Sequence, residues 1–161
     1  MSEQLRSPER QQIAARRAVD PTRSPDRSHV LIVDDHALSR RLYAGYCDLF
    51  DHTSEVVAGG AEALEALRRE RFHVVVMNVH MAEAGGVDTL RAIRALPAPA
   101  GETPVIGLTA VGRHHEAQRW LGAGLADVLA KPITAAKLYA ALNTAVETGR
   151  DDPARSWAPT N

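Results

Sequence analysis

Short apolar runs alternate with stretches of helical periodicity through most of this chain. Residues 29–34 (HVLIVD), 73–78 (HVVVMN) and 105–109 (VIGLT) are apolar and rich in β-branched side chains at consecutive positions. That is the pattern of strands buried on both faces. Residues 54–58, with Val56 and Val57, and residues 126–130 are shorter strand candidates. Between these runs, 37–50 carries Leu38, Leu42, Tyr46 and Leu49 at helical spacing, and 61–70 (AEALEALRRE) combines strong helix formers with Leu64 and Leu67 on one face. Helices are also predicted over 87–96, stopped by Pro97 and Pro99, and over 113–123, ended by Gly124. A last helix over 134–147 has Thr134 as its N-cap. Five strands alternating with five helices predict a parallel sheet covered on both sides, a doubly wound α/β sandwich. For five strands the common order is 2-1-3-4-5, with the site at the carboxyl ends of the strands.

The ends of the chain read differently. Residues 1–28 hold six arginines, four acids and two Ser-Pro steps, with few apolar residues, and residues 149–161 are poor in apolar side chains apart from Trp157. Neither can bury enough surface to offset its ordering entropy, so a flexible arm and a flexible tail are expected around one domain over 29–148. The whole chain has 161 residues and a net charge of −1, which argues against a nucleic-acid binder with its usual basic excess. A single cysteine, Cys47, excludes a disulfide framework and a Cys-rich zinc site, and its place on the first helix suggests packing. There is no secretory signal at the start and no apolar run near the ~20 residues of a membrane span, so a cytoplasmic protein is expected.

The topology directs attention to residues just past each strand. They are Asp34 and Asp35 after the first, Asn78 at the third, Thr109 at the fourth and Lys131 after the fifth. Alone, each has an ordinary reading: a solvated acidic turn, a strand-end cap, a surface charge. Lys131, however, is one of two lysines beside 17 arginines, in keeping with a position that wants a compact ammonium.

With these residues the ordered segments LIVDDH, GGAEALEAL, VVVMNVHM, TPVIGLTA and LGAGLADVLAKPI resemble the receiver domain of two-component signalling, especially receivers attached to hybrid sensor kinases. The resemblance covers about residues 29–146 and implies the flavodoxin-like form of the doubly wound fold. It also implies roles. Asp34 and Asp35 match the acidic pair that holds Mg²⁺, with the backbone carbonyl of His80 as a further ligand. Thr109 and Lys131 match the hydroxyl and ammonium that contact the phosphoryl oxygens. Asn78 stands where the family has the aspartate that accepts a phosphoryl group from a phosphohistidine. The chemistry needs an attacking carboxylate and positive charge to neutralise what develops.

At that position the chain departs from the family. A carboxamide has no anionic oxygen and cannot form the acyl phosphate. It also takes one charge from the metal site, so Mg²⁺ binding is expected to be weak or absent. Three further departures accompany it. Ala82 replaces a proline, Gly85 an aspartate, and Val128 the aromatic residue that normally stands three places before the lysine. The loop after the third strand is expected to be looser for the first two changes. The resemblance thus implies a non-enzymatic, single-domain receiver-like protein that acts by protein–protein interaction. Its partner would be a histidine kinase, a phosphotransfer protein or another regulator, met through the first helix or the face of the fourth and fifth helices. No nucleic-acid or membrane partner is implied. The alternative is an active Mg²⁺-dependent phosphoacceptor in which Asn78 is an engineered substitution or another acid, such as Asp35, is used. A hydrolase on the same fold is the least supported reading, because no GxSxG, Walker or GxGxxG motif is present.

The histidines lack transition-metal spacing; His36, His80, His114 and His115 are read as surface residues, the first two near the crevice. Trp120 is read as core, with an exposed anchor on the partner face as the alternative, and the Lys131-Pro132 bond as a candidate for the cis form that receivers often have.

Overall fold

The computed structural model describes residues 27–81, 85–110 and 116–151. Five strands, β1 (His29–Val33), β2 (Thr53–Val57), β3 (Val74–Asn78), β4 (Val105–Thr109) and β5 (Asp127–Ala130), form one sheet. Their order is β2-β1-β3-β4-β5 and every pairing is parallel. Helices α1 (Ala37–Leu49), α2 (Gly60–Arg69), α3 (Gly86–Arg94), α4 (Ala117–Gly122) and α5 (Ala135–Asp151) follow the strands in turn, with a 3₁₀ turn at Ala100–Glu102 before β4. This is the predicted order 2-1-3-4-5, with element ends displaced by a few residues. The arm read over 1–28 lies outside the described residues except for Arg27 and Ser28. The last helix runs to Asp151, past the expected end of the domain.

The consecutive apolar runs follow from a sheet with two covered faces. Val30, Ile32, Val74, Val76, Ile106 and Leu108 point into one layer, shared with Tyr43 and Cys47 of α1 and Leu138, Leu142 and Val146 of α5. Leu31, Val33, Val75, Met77 and Val105 point into the other, shared with Leu67 of α2, Leu90 and Ile93 of α3 and Trp120 of α4. Alternate side chains of one strand therefore serve different cores, and the polar exceptions in β3 and β4, Asn78 and Thr109, stand at their carboxyl ends.

The first helix buries a different face from the one its leucines mark. Tyr43 and Cys47 are its buried residues. Leu38, Leu42 and Leu49 are 80%, 48% and 70% exposed, and Tyr46 is half-buried, its hydroxyl donating to the Ile133 carbonyl at 3.1 Å. The leucine spacing reveals the helix and misidentifies its inner side.

Local signals set the other boundaries. The Thr134 hydroxyl accepts the Lys137 N–H at 3.2 Å, the N-cap expected of it. Gly124, past the end of α4, has φ +113, a conformation costly for any residue with a Cβ. Gly86 opens α3 against β3: a Cβ there would stand 2.8 Å from Val79 Cα. Arg94 fastens the far end of the domain, donating to the carbonyls of Gly101, Thr103 and Gly124 at 3.0, 2.7 and 3.0 Å.

Candidate functional site

The carboxyl ends of β1, β3, β4 and β5 bring the predicted residues to one edge. Asp34 follows Val33, which pairs with Met77, so Asp34 and Asn78 extend adjacent strands side by side. Asn78 pairs with Leu108, one residue before Thr109, and the Lys131 N–H donates to the Thr109 carbonyl at 2.9 Å. Asp34, Asn78 and Thr109 are all buried, while Asp35 and Lys131 lie at the half-exposed rim.

Asp34 is fixed through its backbone: its N–H donates to the Val57 carbonyl at 3.1 Å, and its own carbonyl accepts from Arg40 at 2.8 Å. Its Oδ1 accepts the His36 N–H at 2.9 Å. Its Oδ2 is buried without a hydrogen-bond partner among the described residues. A buried acceptor left in that state is costly, and a cation is the natural complement of a carboxylate oxygen. The Asp34 charge also reaches Tyr43, whose phenol is pushed up by burial and further by that carboxylate. Asp35 meets the imidazole of His36, with Nδ1 2.9 Å from its Oδ1. One ligand atom from each of Asp34, Asp35 and His36 lies within 4.8 Å of the others.

The Mg²⁺ site that the fold implies can be tested on these atoms. The unpartnered Asp34 Oδ2 and the neighbouring Asp35 are hard oxygen donors of the kind Mg²⁺ takes, so the residues fit. The oxygen that residue 78 would offer such an ion is the neutral Oδ1 of Asn78, which already accepts the His80 N–H at 3.1 Å. That bond also orients the amide, since only the carbonyl oxygen can accept from an N–H.

His80 has a role its sequence position does not suggest. Its Nε2 lies 3.1 Å from Thr109 Oγ1 and 3.9 Å from Glu116 Oε2, and its ring meets Trp120 edge-on with centroids 6.3 Å apart. One histidine thus holds the carboxamide through its backbone and the threonine hydroxyl through its ring. Reading it as a surface residue near the crevice is corrected: it is half-buried and bridges β3 to β4. Nothing in a two-residue offset from Asn78 signals a contact across 29 residues of sequence. His52 is also interior, accepting the Ser28 N–H at 3.0 Å.

Other expectations hold. Trp120 is core, Cys47 is fully buried, and Lys131-Pro132 is cis, as is Ala98-Pro99. Ala82 and most of its loop, and His114 and His115, lie outside the described residues. Val128 is half-buried and packs against the core beneath α4.

A doubly wound sheet with two acids, a hydroxyl and a lysine at its carboxyl edge is the arrangement expected of a receiver domain of two-component signalling. Residues 30–143 match the model of the response regulator receiver domain, and the chain belongs to that family. It is 31% identical over 114 residues to the transcription factor SKN7 of Saccharomyces cerevisiae, covering 71% of this chain and 18% of that protein. It is 34% identical over 112 residues to the sensor histidine kinase RcsC of Salmonella typhimurium, covering 69% and 11%. The chain therefore spans less than a fifth of these relatives. Among solved structures it resembles chemotaxis protein CheY4 of Vibrio cholerae, with a TM-score of 0.67, 26% identity and coverage of 73% of this chain and 98% of that one. The fold also matches the receiver domain of the Francisella response regulator 1452, with a TM-score of 0.67, 24% identity and coverage of 75% and 98%.

Proposed function

We propose that this chain is a phosphorylation-independent receiver, a binding module of a two-component or phosphorelay pathway and not an enzyme. The observation that carries the reading is Asn78. A neutral carboxamide stands where a nucleophilic carboxylate would have to attack phosphorus, and its oxygen is already engaged by the His80 N–H. The hydroxyl that would close on a phosphoryl group is engaged as well, by the His80 ring. Val128, in place of an aromatic, leaves no large ring to report such closure.

Asp34 and Asp35 would hold Mg²⁺, weakly for want of a third charge, and the ion would supply charge neutralisation to the pocket. Lys131 contributes a fixed positive charge at its rim.

Binding falls to the outer face of α1. Leu38, Leu42 and Leu49 recur at intervals of four and seven, with Gly45 between them, and all four are exposed. A Cβ on Gly45 would meet nothing within 4 Å, so the stripe has a notch where a second helix can approach closely. This face fits the helical bundle of a histidine kinase or phosphotransfer protein, a partner consistent with the histidine-kinase relatives. No described helix is long and apolar enough to cross a membrane.

The test is phosphotransfer. With Mg²⁺ and either acetyl phosphate or a phosphorylated kinase, the native chain keeps its mass, whereas Asn78→Asp gains one phosphoryl group. Labelling of the native chain would overturn the reading and favour another acid as acceptor.

A further inference from the structure

We propose that His29, Glu55 and Glu70 form a second cation site, at the amino-terminal end of the sheet, that takes a borderline divalent metal such as Zn²⁺. The site is built by register. His29 pairs with Thr53 and Leu31 with Glu55, so His29, Thr53 and Glu55 project from the same face of the β1–β2 edge. Glu70 follows the last residue of α2, which packs over that face. One ligand atom from each of the three residues lies within 4.8 Å of the others. Around a tetrahedral Zn²⁺ with bonds of about 2.0–2.2 Å, ligand atoms stand about 3.4 Å apart. Small rotations of two glutamate side chains close that difference.

The imidazole is already held as a metal-binding histidine is held. Its ring stacks on the buried Phe72, with centroids 4.5 Å apart and planes 12° from parallel. Its Nδ1 lies 2.7 Å from Thr53 Oγ1, and the Ser28 carbonyl stands 3.5 Å beyond as acceptor for that hydroxyl. The other nitrogen, Nε2, faces Glu70 Oε1. The protein anchors Nδ1, and a metal would take the place of the proton that Nε2 shares with Glu70 Oε1. A ring nitrogen beside two carboxylates favours Zn²⁺ and its neighbours over Mg²⁺, which prefers oxygen throughout.

Arg69 supplies positive charge there now, with Nη2 2.5 Å from Glu55 Oε1 and 3.6 Å from Glu70 Oε2. Its side chain is 57% exposed. An ion pair so open to solvent is screened and adds little, so a metal bonded to three ligands displaces it readily. The ion would tie β1, β2 and the end of α2 together at the pole away from Asn78, independently of the phosphorylation reading.

The test is Zn²⁺ titration of the untagged full chain by calorimetry, with Co²⁺ absorption as a spectroscopic probe. A saturable site that depends on His29 and Glu70 is expected, with the d–d bands of an imidazole-ligated ion. Glu70→Gln, at an exposed helix end that tolerates substitution, lowers affinity at least tenfold, as does His29→Gln. Glu65→Gln, at an exposed acid of the same helix outside the cluster, leaves affinity unchanged. The absence of saturable binding, unchanged binding in Glu70→Gln, or loss of binding in Glu65→Gln would each overturn the proposal.

Discussion

At Gly86 the difference between a tolerated and a forbidden methyl group is a matter of a few tenths of an ångström. A Cβ there would sit 2.8 Å from Val79 Cα and 2.9 Å from its carbonyl oxygen, both backbone atoms that cannot yield. At the adjacent Gly85 a Cβ would meet nothing within 4 Å. Gly86→Ala is therefore expected to cost about 1–3 kcal/mol by urea unfolding, and Gly85→Ala about 0.5 kcal/mol or less. Cys47 makes a second single-residue case. Burial pushes its thiol from 9.0 up to about 11, with the Asp48 charge adding to the effect. The folded state thus keeps a proton that the unfolded chain releases. Stability from this group is fully present below about 9 and falls as pH climbs toward about 11. Alkylation at pH 8 should be slow in the native chain and fast in denaturant, and fast native labelling would contradict the assignment. The sequence makes Cys47 legible as a packing residue because its helix is legible. The His80 ring is not, since its partner Thr109 belongs to another strand and only the β3–β4 pairing brings them together.

Among the elements, α1 separates what periodicity can reveal from what it cannot. Its leucine spacing identifies a helix, yet an apolar stripe meant for a partner and one meant for the core obey the same 3.6-residue period. Only the structure tells that Tyr43 and Cys47 face inward and the leucines outward. If the stripe serves binding, Leu38→Ser with Leu42→Ser changes unfolding free energy by about 0.5 kcal/mol or less per site and abolishes capture of the partner histidine kinase. A large stability loss would assign the leucines to the core after all. Strand identity was easier to read, because a strand buried on both faces leaves a run of β-branched residues that a helix seldom matches. Helix ends were legible where a cap exists, as at Thr134 and Gly124. The cluster of His29, Glu55 and Glu70 was invisible, for it depends on the β1–β2 register and on the exact exit of α2.

For the molecule as a whole, the order β2-β1-β3-β4-β5 brings five separated residues to one sheet edge, so the charge there and global stability are coupled. Asp34 and Asp35 already crowd two carboxylates at the end of β1, and the buried Oδ2 of Asp34 has no described partner. Replacing Asn78 by aspartate adds a third charge next to them. Without a divalent ion, like charges at such separation disfavour the folded state, and the new side chain no longer supplies a neutral amide. With Mg²⁺ the sign reverses, because the ion binds the folded state alone and stabilises it by RT ln(1 + [Mg²⁺]/Kd), about 2.7 kcal/mol at a hundredfold excess over Kd. Calorimetry should therefore find Asn78→Asp less stable than the native chain in chelator. Addition of Mg²⁺ should raise its Tm by several degrees, while the native chain, with two charges in the pocket, shifts less. Equal shifts in the two proteins would mean that the ion does not sense residue 78, and that the acidic pair and the carboxamide do not form one site.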